Sequence, residues 1–362
     1  MDTQTSIRDY LSGKNQGHQS IFENLDAVLS NILNDRSEVH YKYASAQQSL
    51  EAFRITTELE SSGELTPDNI GKYNDELVIA MRMFLFDKGK ASGLLKTFVY
   101  TKRATIKDLG TSLQTAVSGL NIVSAILLVR ATIEQVAAAS VANSEINKLF
   151  DYQGLTTDEK TERINSLIEI VSKRGKGTRI DWEAYLLKSL REGKKKSYVA
   201  EEGTFDLTAT DLMNNIDFLN KIIKGTRKAY EFASEFAHPN VGAHNLYIQS
   251  ASYRTLSDDI RIWERVSARD FPKKGIDLLE ERIVEMLEIA IESISYFLII
   301  AGELEAKQNT IRNWTKEIIK NGINNHPFIF TLKEPCPCFS GLEFGKCCGK
   351  KVKALHKQLF IS

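Results

Sequence analysis

All four cysteines of this 362-residue chain lie in one short stretch near its end, EPCPCFSGLEFGKCCGK (Glu334–Lys350). They form two close pairs, Cys336-x-Cys338 and Cys347-Cys348, with eight residues between the pairs. A tetrahedral zinc ion needs four soft ligands at about 2.3 Å, and two thiolate pairs on facing turns meet that need. The spacing therefore predicts that Cys336, Cys338, Cys347 and Cys348 bind one zinc ion.

Disulfide bonds and free thiols are the alternatives to a metal site. A disulfide within Cys-x-Cys or between adjacent cysteines would be strained. The N-terminal sequence MDTQTSIRDYLSGKNQ also lacks the basic and then apolar pattern of a secretory signal. We therefore expect a cytoplasmic protein, in which structural disulfides do not persist. Because four thiolates fill a tetrahedral site, we expect the zinc to be structural rather than catalytic.

The residues around the cysteines offer little material for a core. Phe339 and Phe344 are its aromatic candidates, whereas zinc binding to small finger peptides contributes about 10–16 kcal/mol. Ser340-Gly341 suits the tight turn after the first pair, because glycine adopts positive φ without a steric penalty. We therefore expect this small module to fold because it binds metal.

The segment CPCFSGLEFGKCCGK resembles the SEC-C motif, which is named after the C-terminus of the preprotein translocase ATPase SecA. That motif reads Cys-Pro-Cys-x-Ser-Gly, then a short basic and aromatic segment, then Cys-Cys or Cys-His followed by glycine. The matching residues are Cys336, Pro337, Cys338, Ser340, Gly341, Phe344, Lys346, Cys347, Cys348 and Gly349. The chain departs from the motif at Phe339, where glycine is usual, and at Leu342-Glu343, which replace the usual lysines.

This resemblance implies a zinc ion and a role in interaction, on a bacterial protein. In SecA the motif contacts a chaperone and the ribosome, but it is appended to many unrelated bacterial proteins. The two departures leave the four ligands intact and weaken a basic partner-binding surface on the loop. An adaptor that acts on the ribosome or on a chaperone is therefore one hypothesis, and no particular partner is implied.

A basic tail, residues 351–362, follows the module. From Lys333 to Ser362 six lysines stand against two glutamates, so this end of the chain can contact RNA phosphates or an acidic protein surface. The alternative is a solvated terminal helix whose Val352, Leu355 and Leu359 pack back on the module. We expect a protein, RNA or ribosome partner and no membrane, and the oligomeric state stays open.

A second group of polar residues lies in the body of the chain. Arg130 and Glu134 stand one helical turn apart in an apolar stretch, so they share one face. A buried charge is costly unless it is paired, which indicates either a polar site or an internal salt bridge that fixes helix packing. Further along, Tyr230, Ser234 and His238 share a face, and His238 can act as an acid or base. The alternative role for His238-Pro239 is a structural helix ending.

The body as a whole resembles, at the level of these patterns, uncharacterised bacterial helical proteins related to abortive-infection and HEPN-type proteins. Active HEPN members cleave RNA with polar residues from two helices, which implies a setting in phage defence or stress response. In that motif four to six residues lie between the arginine and the histidine, and the sequence contains no such pair, since Arg36 and His40 have three residues between them. The remaining hypothesis is a metal-independent ribonuclease whose catalytic residues are Arg130, Glu134, Ser234 and His238.

Composition excludes several other classes. Forty-seven basic and 47 acidic residues cancel, so no global charge draws the chain to nucleic acid or membrane. Nucleotide-binding glycine motifs, the nucleophile elbow of hydrolases and the zinc-protease helix motif are absent. The most apolar runs, Leu120–Val129 and Ser293–Gly302, are about half the length of a membrane span and are typical of buried core helices.

The elements that must position these residues are mainly helices. Apolar residues at helical spacing predict a helix at Ser20–Leu33 and a central bundle helix within Ala104–Phe150. Further helices are predicted at Asp211–Phe236, Asp277–Glu305 and Thr310–Asn321, and HNLYIQSAS and IRIWERVS alternate as in a β-hairpin.

The predicted fold class is therefore mainly α. It is a multi-helix bundle with one small β-hairpin and a C-terminal zinc module. The predicted domains are a helical body over 1–325, as one domain or two subdomains with a break near 173–210, then a linker over 326–333. The zinc module over 334–350 and the basic tail over 351–362 follow.

Overall fold

The computed structural model describes residues 6–33, 85, 88–119, 121–152, 154–176, 212–237, 248–257, 260–267, 273–325, 333, 336–338 and 342–350. Its helices are α1 (Ile7–Lys14), α2 (Gln16–Leu33), α3 (Ala91–Ser118), α4 (Ile122–Lys148), α5 (Thr157–Lys176), α6 (Leu212–Ile222), α7 (Thr226–Ala237) and α8 (Lys273–Asn325). Strands β1 (Ile248–Ser257) and β2 (Ile260–Ser267) precede α8, and two 3₁₀ turns, Phe344–Lys346 and Cys348–Lys350, follow it. The mainly α prediction is confirmed.

The chain divides into two compact units, each built from three stretches of sequence. The first unit comprises Met1–Ser37, Thr101–Val141 and Thr178–Ala301. The second comprises Glu38–Tyr100, Ala142–Gly177 and Gly302–Ser362. Helices α3, α4 and α8 each contribute residues to both units. Of the sequence predictions, the break near 173–210 and the linker at 326–333 fall almost wholly outside the described residues.

Helix α2 forms as the apolar spacing predicts. The five apolar residues that define its face, Ile21, Leu25, Val28, Leu29 and Ile32, are all buried. Helix α1 before it begins with a capping box, because the Ser6 hydroxyl accepts from the Asp9 N–H and the Asp9 carboxylate accepts from the Ser6 N–H. Local sequence is sufficient to define both helices.

The central helix expected within Ala104–Phe150 is present as α4, and a break in the helical run separates it from α3 in the earlier part of that range. The break falls at residues 119–121, where Gly119 follows the last turn of α3. The freed Gly119 carbonyl accepts a hydrogen bond from the Ile7 N–H of α1 at 2.9 Å. A contact from more than 100 residues away in sequence therefore satisfies the helix end.

The helix expected over Asp211–Phe236 is likewise two helices, α6 and α7. Gly225, between them, has a φ of +90°, which glycine adopts without the steric penalty that a Cβ imposes. A Cβ at this position would also lie 3.3 Å from the Ile289 Cδ1 of α8. The Thr226 hydroxyl donates to the Ile223 carbonyl at 2.7 Å and closes the turn.

The two helices expected over Asp277–Glu305 and Thr310–Asn321 are one continuous helix, α8, of 53 residues. Its buried side chains recur every seven residues, at Ile276, Ile283, Ala290, Phe297, Leu304, Ile311 and Ile318. The polar segment that suggested a break lies between Leu304 and Ile311, and several of its residues are exposed. The repeat therefore continues through the segment, whose polar residues form the solvated face of the helix.

The predicted β-hairpin is present. Strands β1 and β2 pair antiparallel, with Tyr253 opposite Trp263. Strand β2 has the bounds that the sequence indicated, Ile260–Ser267, whereas β1 continues further toward the turn, through Ser257. The described side chains at residues 252–255 are all exposed, so both faces of β1 meet solvent at this point.

The apolar runs predicted as core helices do contribute buried residues, including Ile126, Val129 and Phe297. Among the described residues, helix α4 is nevertheless long and apolar enough by composition to cross a membrane, and half of its most apolar stretch is buried. The core helix of a soluble protein passes the same test, so this is weak evidence for a span. The cytoplasmic location stays a prediction.

One polar side chain in the first unit gives a pH-dependent prediction. The Lys102 ammonium donates to the Gln135 Oε1 at 2.8 Å, and burial lowers the pKa of Lys102 to about 8. The unfolded chain, with an ordinary pKa near 10.5, binds more protons between these values. The contribution of Lys102 to the free energy of unfolding therefore rises with pH from about 8 to 10.5. Lys102→Met should stabilise the protein below pH 8, by at most roughly 3 kcal/mol, and this gain should shrink toward pH 10.5.

Urea unfolding at several pH values measures this difference. Lys96→Met is the matched control, because Lys96 is an exposed lysine on the same helix. A constant difference between wild type and Lys102→Met from pH 7 to pH 10.5 would contradict the prediction.

Candidate metal centre

The four cysteine sulfurs form one cluster. The Cys338 Sγ lies 3.4 Å from the Cys336 Sγ and 3.5 Å from the Cys347 Sγ, and the Cys347 and Cys348 sulfurs are 4.0 Å apart. All four sulfurs lie within 4.8 Å of one another. A tetrahedral ion with four sulfurs at about 2.3 Å places each sulfur about 3.8 Å from the others. The cluster therefore has the size and ligand number to hold a metal ion.

Two short turns of backbone bring the cysteine pairs together. The Cys336 N–H donates to the Leu342 carbonyl at 2.9 Å and thereby closes the loop between the pairs. The 3₁₀ turn at Phe344–Lys346 then presents Cys347, whose N–H donates to the Phe344 carbonyl at 3.0 Å. Such tight turns suit the short spacing because they advance the chain little and keep both pairs on one side.

Phe344 is the core of this module, as the sequence predicted, and is fully buried. Its ring packs against Gly349, where an added Cβ would lie 2.6 Å from the Phe344 Cδ1. The sequence showed only that Gly349 matches the glycine of the motif. The close approach of the Phe344 ring explains why a residue without a Cβ is needed at this position. Phe339 and the Ser340-Gly341 turn lie outside the described residues.

The cysteine thiols lie close enough together to shift one another's pKa values. The hydrogen-bonded contact with Cys338, together with partial burial, raises the pKa of Cys336 to about 11. Contacts with the Cys336 and Cys338 thiols also raise the pKa of Cys348. A bound divalent cation would favour the thiolate form of these cysteines. All four cysteines are free of disulfide bonds.

The charged residues of the loop are paired with each other. Lys346 Nζ lies 2.9 Å from the Glu343 carboxylate, and both side chains are largely exposed. The glutamate that replaces a lysine of the motif therefore partly neutralises the lysine that remains. Lys350 is exposed, and the basic tail beyond it lies outside the described residues.

The second predicted group is brought together only in part. The Arg130 Nε donates to the Glu134 Oε1 at 3.1 Å, and an Arg130 Nη donates to the Tyr230 hydroxyl at 3.1 Å. The guanidinium carbon also lies 5.0 Å from the centre of the Tyr230 ring. Burial acts to lower the pKa of Arg130, but the Tyr230 hydroxyl and the Glu134 carboxylate outweigh it, and the pKa is raised. This cluster joins α4 to α7.

The other two proposed catalytic residues, Ser234 and His238, are not observed in contact with the Arg130 guanidinium within the described part of the chain. The Ser234 hydroxyl donates to the Tyr230 carbonyl at 2.8 Å, so its proton is held by its own helix. His238 lies outside the described residues. The sequence grouped Tyr230 with Ser234 and His238 and missed its contact with Arg130, which no local spacing signals. The ribonuclease hypothesis stays a prediction.

The Gly349 contact yields a direct test of the metal centre. Gly349→Ala should weaken metal binding by roughly 10–100-fold, the range seen when residues that support metal ligands are changed, because the new Cβ displaces the Phe344 ring. Competition with a zinc chelator measures the affinity. Gly302→Ala is the control, since nothing lies within 4 Å of a Cβ there. Equal affinities of Gly349→Ala and wild type would show that the packing does not support the site.

The Arg130 cluster yields a test that separates packing from catalysis. Arg130→Met should lower the free energy of unfolding by roughly 1–2 kcal/mol, because it removes two hydrogen bonds from a charged, partly buried group. The control is Arg227→Met, whose exposed pairs with Asp217 and Glu231 should matter less. Urea unfolding measures the stability of both variants. In a separate assay, each folded variant is incubated with RNA to measure cleavage.

We expect the wild-type protein to leave RNA intact, because the Arg130 guanidinium already donates hydrogen bonds to Glu134 and Tyr230. RNA cleavage that His238→Ala abolishes and Cys347→Ser retains would contradict this expectation and establish the ribonuclease.

Comparison with known proteins adds no assignment. Neither the protein-family models, nor the curated proteins, nor the solved structures compared with this chain give a match. What the structure supports is a helical protein with a cluster of four cysteines that can bind a metal ion.

Proposed function

We propose that this protein carries a structural zinc site of the SEC-C type and that the module around it mediates interaction with a protein or nucleic acid. The observation that carries the proposal is the cluster of four cysteine sulfurs at separations suited to tetrahedral coordination. A role in phage defence or stress response is part of the same proposal and rests on the resemblance of the body alone.

Zinc suits this cluster better than other common metals. Thiolates are soft ligands that select zinc or iron, whereas magnesium, calcium and manganese prefer oxygen. Iron–sulfur clusters need room for inorganic sulfide between the thiolates, and these sulfurs already lie at the spacing of a single ion. With all four positions occupied by protein, no coordination site is left for water or substrate. The proposed role of the metal is therefore to hold the module folded.

The size of the module supports the same conclusion. Phe344 is the large side chain buried within its described residues, and burying one phenylalanine contributes about 1.5–3 kcal/mol. Fixing the backbone costs about 1–2 kcal/mol per residue. Apolar burial therefore cannot order a segment of this length, whereas zinc binding to four thiolates is worth about 10–16 kcal/mol in small peptides.

Because a closed zinc site cannot bind substrate, we infer that the module acts by binding a partner. The module exposes several of its described side chains, including Leu342, Lys346 and Lys350. The lysines of the tail add positive charge beyond Lys350. An RNA or ribosome surface, or an acidic protein, matches this charge, and binding to phosphates would weaken steeply with salt.

Metal analysis of the purified protein tests the zinc half of the proposal. We expect about one equivalent of zinc per chain, and we expect Cys347→Ser to lose it because three thiolates hold the ion less tightly. Glu343→Gln is the matched control, since it changes an exposed residue of the same loop that is not a ligand. Absence of zinc from the wild type, or iron in its place, would contradict the proposal.

The same variants test the interaction half. The wild type and Glu343→Gln should sediment with ribosomes, or be retained by a partner protein, in a salt-dependent manner, whereas Cys347→Ser should not. Far-UV circular dichroism shows whether the helical body stays folded in each variant. Equal binding by Cys347→Ser would assign the interaction to another part of the chain.

A further inference from the structure

The second unit contains an open cleft of about 670 Å³ that shares no residue with the cysteine cluster. Residues at the end of α4, at the start of α5 and along α8 line it. The residues that determine its chemistry are Phe150, Tyr152, Lys160, Lys307 and Trp314. Its volume lies within the range of about 300–1,000 Å³ that small-molecule sites occupy.

Aromatic rings form much of the wall of this cleft. Phe150 and Trp314 are stacked, with ring centres 4.9 Å apart and planes inclined by 12°. Tyr152, next to them in the lining, is 62% exposed although it is a large aromatic side chain. The Arg163 guanidinium lies 4.7 Å from the Tyr152 ring centre and holds that ring from one side. The cleft therefore offers fixed, partly exposed π-surfaces on which a planar ring can stack.

The charged residues in the lining of the cleft are Lys160, Lys307 and Glu303. The Lys160 ammonium is paired with the Glu317 carboxylate at 2.7 Å. Lys307, by contrast, contacts only the Glu303 backbone carbonyl, at 3.3 Å, and pairs with no carboxylate among the described residues. The Glu303 carboxylate is itself engaged by the Asn143 side-chain amide at 2.7 Å. Lys307 is thus available to a phosphate or another anionic group of a ligand.

We propose that this cleft binds one nucleotide, with its base stacked against Tyr152 and Trp314 and its phosphate at the Lys307 ammonium. A purely apolar ligand would leave the Lys307 ammonium without an anionic partner, and this ammonium would repel a cationic group placed beside it. A planar base joined to an anion satisfies both sides of the cleft. A free mononucleotide and one nucleotide of a single-stranded RNA present this same chemistry.

Calorimetric titration of the full-length protein tests the site. The probes are AMP, adenosine, inorganic phosphate and an eight-nucleotide oligoadenylate. We expect AMP or the oligonucleotide to bind, and we expect Tyr152→Ala to weaken that binding by about tenfold, the scale of one lost stacking contact. Lys307→Ala should weaken the binding of AMP by a similar factor of about ten and leave the weaker binding of adenosine unchanged.

Exposed residues elsewhere in the same unit supply the controls. Tyr100→Ala removes a tyrosine that is 41% exposed on α3, and Lys320→Ala removes an exposed lysine on α8. Both variants should bind as the wild type does. Tyr152 and Lys307 lie at the surface, so their variants should stay folded, and Trp314→Phe, which keeps an aromatic ring, provides a further variant with an expected intermediate affinity.

Comparing the affinities for AMP and for the oligonucleotide distinguishes a free nucleotide from one nucleotide of an RNA strand. Binding of AMP as tight as that of the oligonucleotide identifies a free nucleotide, and binding of the oligonucleotide alone identifies an RNA strand. The proposal is overturned if neither binds at millimolar concentration, if inorganic phosphate binds as tightly as AMP, or if Tyr152→Ala and Lys307→Ala bind like wild type. Zinc content is unaffected by any of these results, so they are distinct from a failure of the zinc site.

Discussion

The helical body is organised by the seven-residue repeat of buried side chains along α8. Seven apolar residues, from Ile276 to Ile318, occupy equivalent positions over six successive repeats, and all are buried. Each fully buried large apolar side chain contributes about 1.5–3 kcal/mol. Four of the seven belong to the first unit and three to the second. One continuous helix therefore supplies core residues to both units, and a break within it would remove them from one.

The polar clusters are added to this apolar framework where helices from distant parts of the chain meet. Within the first unit, Lys14 pairs with Asp277 and Glu280 and so fixes α1 to α8. Tyr10 donates to Asp277 in the same network, and burial together with this hydrogen bond raises the pKa of Tyr10 to about 12. Exposed ion pairs of this kind contribute little stability. They link two helices, α1 and α8, that are more than 250 residues apart in the sequence.

The C-terminal module differs from the helical body in what can stabilise it. Its described residues bury one large side chain, Phe344, so apolar burial falls short of the entropy that ordering the loop costs. Metal coordination stabilises such a module several-fold more than the burial of one phenylalanine does. The two proposed binding features of the second unit therefore differ in kind. In our proposal the cysteine cluster needs its metal ion to fold, whereas the cleft is lined by residues of and next to helices α4, α5 and α8.

Features that depend on neighbours close in the chain follow from the order of the amino acids. Cysteine spacing predicted the cluster, alternation predicted the hairpin, and apolar periodicity predicted α2, because side chains one turn or two residues apart are placed by local backbone geometry alone. The break at Gly119, the contact of Arg130 with Tyr230 and the cleft between residues 150–160 and 303–314 arise only from tertiary packing. In each case, including the contact of the Gly119 carbonyl with Ile7, the segments that meet lie about 100 residues or more apart in the sequence. Their meeting is set by how the buried faces of the helices pack, which no local pattern of residues encodes.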